Sequence, residues 1–152
     1  MRAALRPAVL ALTSALLSAS LLGASLLAPS GAAAASNRET RLIAKINYAR
    51  AVHGLRALRV KPALMRYAGR HSTAMADRRE LFHTTNFGVV CCWSAIGENI
   101  GYSSTVTRVH RAFMRSPGHR ANILDPRFRR VGVGIVERGG RLWVTEIFIR
   151  PS

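Results

Sequence analysis

The chain has 152 residues, of which 23 are Lys or Arg and only 7 are Asp or Glu, giving a net charge of +16. That length supports one domain with its own core and excludes a mini-protein held by cross-links, while the only two cysteines, Cys91 and Cys92, are adjacent and exclude a disulfide framework. Positive charge on this scale favours anionic polymers and lipids as partners, but by itself it gives weak, salt-sensitive association rather than a site.

Arg2 and Arg6 precede an apolar stretch over residues 8–28 and a small-residue run, Ser30-Gly31-Ala32-Ala33-Ala34-Ala35-Ser36. The pattern predicts a secretory signal peptide over residues 1–35, cleaved near Ala34 or Ala35. A retained membrane anchor is the competing reading, since the apolar stretch is nearly long enough to span a bilayer. The small residues favour cleavage, so no transmembrane anchor is expected in the mature protein. No cysteine stands at the cleavage site, which argues against lipid attachment. Loss of residues 1–35, with their two arginines, leaves 117 residues and lowers the net charge to +14. A secreted, extracellular destination makes cell-envelope polymers and lipids the expected anionic partners and excludes nucleic acid.

Leu42, Ile43, Ile46, Ala49 and Val52 recur at helical spacing and predict a first helix over residues 37–52, ended by His53-Gly54 where a left-handed cap is expected. Pro62 opens a second helix with Leu64, Ala68, His71, Ser72 and Met75 on one face. Residues 83–102 show little periodicity and predict loops with one or two short strands. A third helix is expected over residues 104–115, and Ser116-Pro117 is the start signal of a short fourth one, with Ser116 as its cap. From Arg130 the period becomes two. Val131, Val133 and Ile135 form one strand, Gly139-Gly140 a hairpin turn, and residues 142–149 a second strand that is apolar on both faces. A strand covered on both sides implies a sheet between helical layers, so the expected fold is α+β, a three-layer α/β/α sandwich with a small central antiparallel sheet.

His119 lies in the first turn of the fourth helix, where the exposed N–H groups disfavour imidazolium and leave a lone pair for a metal or a proton. His71 and Ser72 are about 100° apart on a helix and cannot form a nucleophilic dyad, so His71 reads as a satisfied core histidine. His53 reads as a helix-end residue and His110 as a helix-surface one, with Trp93 and Trp143 as packing residues. Cys91 and Cys92 are compatible with a strained vicinal disulfide, an intermolecular bridge or two free thiols.

The order and spacing of several short motifs carry a resemblance. They are Ile46-Asn47-Tyr48-Ala49-Arg50 with His53-Gly54-Leu55, His71-Ser72, His83, Gly97-Glu98-Asn99-Ile100, Ser116-Pro117-Gly118-His119-Arg120, Val131-Gly132-Val133-Gly134 and Trp143-Val144-Thr145. Together they resemble the CAP family of cysteine-rich secretory, antigen 5 and pathogenesis-related-one proteins, in its short bacterial form, with residues 36–152 as the domain. The resemblance implies a cavity lined by His83, Glu98 and His119, with Ser116 and Glu146 as further candidates. The second acidic residue of eukaryotic members falls where this chain reads Phe113-Met114-Arg115-Ser116, so the acidic pair is incomplete and Glu146 is the candidate substitute. His83 and His119 are the expected ligands of zinc or another divalent cation, with Glu98 orienting or deprotonating its water. The expected function is binding of a lipid, a small apolar molecule or another cell-envelope ligand. The alternatives are a metal-assisted hydrolase with Glu98 as general base, and a cationic antimicrobial or signalling protein acting through charge.

Overall fold

The computed structural model describes residues 31–88 and 92–152, with side chains from Asn37 onward. The expected signal region through Ser30 and the state of Cys91 lie outside the described residues. Four helices and four strands follow in the order α1 (Gly31–Val52), β1 (Arg59–Val60), α2 (Pro62–Arg78), β2 (Trp93–Ser103), α3 (Val106–Arg115), α4 (Pro117–Leu124), β3 (Arg130–Arg138) and β4 (Arg141–Pro151). Helix α1 starts ahead of the expected first mature residue, Ser36. Among the described residues no helix is long and apolar enough to cross a membrane.

The strands form one sheet in the order β1-β3-β4-β2. The β3–β4 and β4–β2 pairs are antiparallel, as expected, whereas the two-residue β1 runs parallel to β3. Gly139 and Gly140, both with positive φ (61° and 70°), make the two-residue hairpin turn that joins Arg138 to Arg141. Two central residues of that hand match the twist of the flanking strands. Strand β2 departs from expectation. It runs for 11 residues where short pieces were foreseen, because its Gly, Glu, Asn and Ser residues hide the period while its backbone pairs with β4 throughout.

Strand alternation divides the core into two layers. Val131, Val133, Ile135, Val144 and Phe148 pack with Leu42 and Ile46 of α1, Val109 and Phe113 of α3, and Ile123 of α4. On the other side Ile147 and Ile149 meet Leu64 and Ala68 of α2, and Trp143 and Ile100 meet Met75 and Ala76. The result is an α/β/α sandwich, with α2 alone on one face. That helix sits unusually close to the sheet: a Cβ on Gly134 would fall 2.2 Å from the Ala68 carbonyl carbon, and one on Gly132 would fall 2.3 Å from that of Leu64. Ser72 fixes the packing by hydrogen bonding the Gly134 carbonyl and Thr145 Oγ1, both at 2.9 Å.

Arg50, near the end of α1, is fully buried. Its Nε donates to the Arg56 carbonyl at 2.9 Å, and its Nη1 to the carbonyls of Ile123 at 2.7 Å and Asp125 at 3.0 Å. A cation at the C-terminal end of α4 satisfies carbonyls that the helix leaves open. It also ties α4, which carries His119, to the first helix of the domain.

Candidate functional site

Successive residues of β2 face opposite sides of the sheet, and this separates Glu98 from Asn99. Glu98 pairs in register with Ile147 on the α2 side, while Asn99 pairs with Glu146 on the side of α1, α3 and α4. The sequence expectation that Glu146 supplies a second cavity carboxylate is therefore corrected. Glu146 is fully buried on the opposite face from Glu98 and accepts from Asn99 Nδ2 at 2.9 Å, while its Oε1 has no hydrogen-bond partner. Burial pushes its carboxyl up to about 8, against the weaker pull of the Asn99 hydrogen bond.

On the α2 side Glu98 is held tightly. Its Oε2 accepts from His83 Nδ1 at 2.8 Å and from the Thr84 backbone N–H at 2.9 Å, and its Oε1 accepts from Thr84 Oγ1 at 2.9 Å. His71 Nε2 lies 3.6 Å from Oε1 and donates to the Phe82 carbonyl at 2.8 Å. His71, read from sequence as a core residue, thus closes the carboxylate's inner side and braces the loop that carries His83. Its place on the buried face of α2 was visible in the helical period; its contact with Glu98 joins segments far apart in sequence. Thr84 was likewise missed, although it adjoins His83. With Nδ1 committed to Glu98, neutral His83 keeps its lone pair on Nε2, and 63% of its side chain is exposed.

His119 approaches from the other side. It is the third residue of α4, half-buried, with its ring 4.8 Å from that of Phe113 and its carbonyl held by Asn99 Nδ2 at 3.1 Å. Asn122 Nδ2 completes the tie between α4 and the strand, donating to Asn99 Oδ1 at 2.9 Å and to the Glu98 carbonyl at 3.1 Å. Burial, and then the charge of His83, lower the His119 imidazole, so the ring is neutral at pH 7, as expected; the helix terminus is not the leading cause. Ser116 ends α3 and stands at the N-cap of α4 ahead of Pro117, as expected, but its side chain makes no capping hydrogen bond.

The single cavity expected from sequence is two hollows. His83 lines one of about 430 Å³ with His71, Phe82 and Thr84. His119 and Ser116 line another of about 350 Å³ with Leu81, Ile100, Gly101, Tyr102 and Phe113. Consecutive residues of a strand line one hollow only where the strand edge is open, and β2 is an edge strand. The second hollow therefore runs over that edge, and the electrostatic influence of His83 on His119 links the two. Among the described residues no group of three or more His, Cys, Asp or Glu side chains is placed to hold a metal ion. An ion held here would have at most the two imidazoles of His83 and His119 as ligands, a set that would bind a borderline ion only weakly.

Two outlying histidines complete the picture. His53 ends α1 by donating from Nδ1 to the Ala49 carbonyl at 2.8 Å, and it accepts from Arg120 at 3.0 Å. His110, expected on a helix surface, is half-buried instead, with Nδ1 enclosed and unpartnered; burial and the Lys45 charge lower it.

Comparison with known proteins agrees with this architecture. The model of the cysteine-rich secretory protein family, CAP, matches residues 43–148. The uncharacterized protein YkwD of Bacillus subtilis is 33% identical over 123 residues, covering 73% of this chain and 46% of its own length. The chain therefore spans under half of that relative. An extracellular protein of Bacillus anthracis containing an SCP domain superposes with a TM-score of 0.68 at 24% identity, covering 76% of this chain and 41% of that one. An outer surface protein of Borrelia burgdorferi gives 0.69 at 17% identity, covering 76% of this chain and 94% of that one. Both structural likenesses concern the fold. With its layers, the two close-packed glycines of β3 and the matched span in agreement, the chain belongs to the CAP family of cysteine-rich secretory proteins.

Proposed function

We propose that this CAP domain works outside the cell as a ligand-binding module. Its groove over the β2 edge takes an apolar or cell-envelope molecule, and His83 and His119 hold a divalent cation such as zinc at the polar end. The description of relatives as extracellular or outer surface proteins supports the location. The observation that carries the binding reading is the clamp on Glu98. Three hydrogen bonds occupy its oxygens, so it orients His83 as a carboxylate behind a metal-binding imidazole does. A general base needs an oxygen within reach of the water it deprotonates, so the same clamp weighs against a hydrolase acting through Glu98. Bound, the cation would supply a Lewis-acidic anchor for a ligand oxygen.

Calorimetry with zinc on the wild type, His83→Ala and His119→Ala tests the metal reading. The expected result is weak binding by the wild type, falling as pH drops through the histidine range because protons compete for the same lone pairs, and loss of uptake in both variants. Equal uptake by all three proteins overturns the assignment. Mass spectrometry of molecules retained by the purified protein reads the groove separately, and a retained apolar ligand that Leu81→Glu releases is the expected outcome.

A further inference from the structure

At the hairpin end of the sheet, on the far side of Tyr102 from the His119 hollow, a pocket of about 360 Å³ is lined by Arg79, Arg138 and Arg141, with Ala76, Gly139 and Trp143. No acidic side chain lines it. The three cations reach it from different elements: Arg79 from the left-handed cap of α2 (φ 55°), and Arg138 and Arg141 from the two sides of the Gly139-Gly140 turn. Arg138 is paired with Asp77, and Arg141 lies over the Tyr102 ring, 4.8 Å from its centroid. Tyr102 in turn packs against Trp143 with centroids 5.2 Å apart. One carboxylate against three guanidinium groups leaves a positive excess, and the ion pair and ring contact restrain two of the three side chains. Guanidinium forks arranged in this way suit the several oxygens of a phosphate group.

The volume says more about the ligand. At roughly 30 Å³ per water it equals about twelve waters, more than a bare oxyanion fills. The remaining lining is the rim of the Trp143 ring, which is 4% exposed, the buried Ala76 beneath it and the polar backbone of Gly139.

We infer that this pocket binds a phosphate ester of a small polyol, the phosphate among Arg79, Arg138 and Arg141 and the carbon skeleton along Trp143 and Gly139. A glycerophosphate unit has this chemistry whether it is free in solution or displayed as a lipid headgroup. The site uses no metal and neither His83 nor His119.

Trp143 makes the test direct. In a Trp93→Phe background it is the sole tryptophan, and its emission is followed while glycerol 1-phosphate, inorganic phosphate or glycerol is added at constant ionic strength. Saturable binding is expected with glycerol 1-phosphate, at least several-fold weaker binding with phosphate, and none with glycerol. Arg79→Gln and Arg141→Gln, each checked for an unchanged far-ultraviolet spectrum, should weaken binding tenfold or more, while Arg66→Gln on the exposed face of α2 should not. Vesicles of phosphatidylglycerol in phosphatidylcholine form the second arm. Binding there that Arg79→Gln reduces identifies the headgroup as a source, and binding of the soluble ester alone identifies the free compound. Equal loss in the Arg66→Gln control, or unaltered affinity in both pocket variants, overturns the proposal.

Discussion

Glu146 is a carboxyl enclosed by the sheet and α4, and its protonation state is a matter of stability. Its folded-state value of about 8 stands above the usual 4.5, so between those limits the unfolded chain releases a proton that the folded chain retains. Its contribution is therefore full below pH 4.5 and is lost as pH rises to about 8, on the order of a few kcal/mol. His110 and His119 act in the opposite sense: both are lowered from 6.5, so the fold loses stability as pH falls below that value. Glu146→Gln keeps an acceptor for Asn99 and cannot ionise. Urea melts should show it more stable than wild type at pH 8 and unchanged at pH 4.5, and parallel pH curves for the two proteins would refute the assignment. The sequence singles out Glu146 as a lone carboxylate among the apolar alternates of β4, but not the partner or the side of the sheet it takes. Only the register that sets it against Asn99 places it on the face away from Glu98. His119 is marked locally by the Ser116-Pro117 helix start and His83 only by the family resemblance, whereas His71 and Thr84 take their places from a contact across the α2–β2 gap that no local pattern encodes.

The packing of α2 on β3 depends on two glycines that leave room for a helix backbone. Gly134→Ala would force a methyl into the Ala68 carbonyl, and neither backbone can move without lifting α2 from Thr145 and Ile147. A loss of about 3 kcal/mol or more, or failure to fold, is expected. Gly69 of the same helix is the control. A Cβ there meets nothing within 4 Å, so Gly69→Ala should raise stability by about 0.5–1 kcal/mol through helix propensity. Denaturant midpoints for the two variants decide the matter, and a tolerated Gly134→Ala would mean that the helix sits farther out. At this scale the sequence was most readable. The helical period, Pro62, Gly54 with its φ of 68°, and the Gly139-Gly140 turn placed α1, α2 and the β3–β4 hairpin close to where they lie. Strand β2 was illegible because its identity comes from pairing with β4, a partner 39 to 58 residues later along the chain.

For the whole molecule, the net charge of +16 should act at long range as a screened field. Cosedimentation of the expected mature form with anionic vesicles should weaken steeply between low and physiological salt, where the screening length is about 8–10 Å. Retention that ignores salt would instead point to insertion of an apolar surface. The sandwich and the positive charge were legible in the sequence, since composition and period fix them; the division of the candidate site across the two sides of β2 was not. The buried Arg50 tie gives the molecule a temporal order as well as a shape. Its Nη1 waits on carbonyls 73 and 75 residues further along the chain. A chain emerging amino end first thus has its first helix in place long before the partner that completes it. Closing so long a loop carries an entropic cost that local contacts do not repay. His119, held between Asn99 and that tie, takes its place only when α1 and α4 meet, so the binding proposed for the histidine pair would report a finished fold, and a truncated or half-folded chain would be silent.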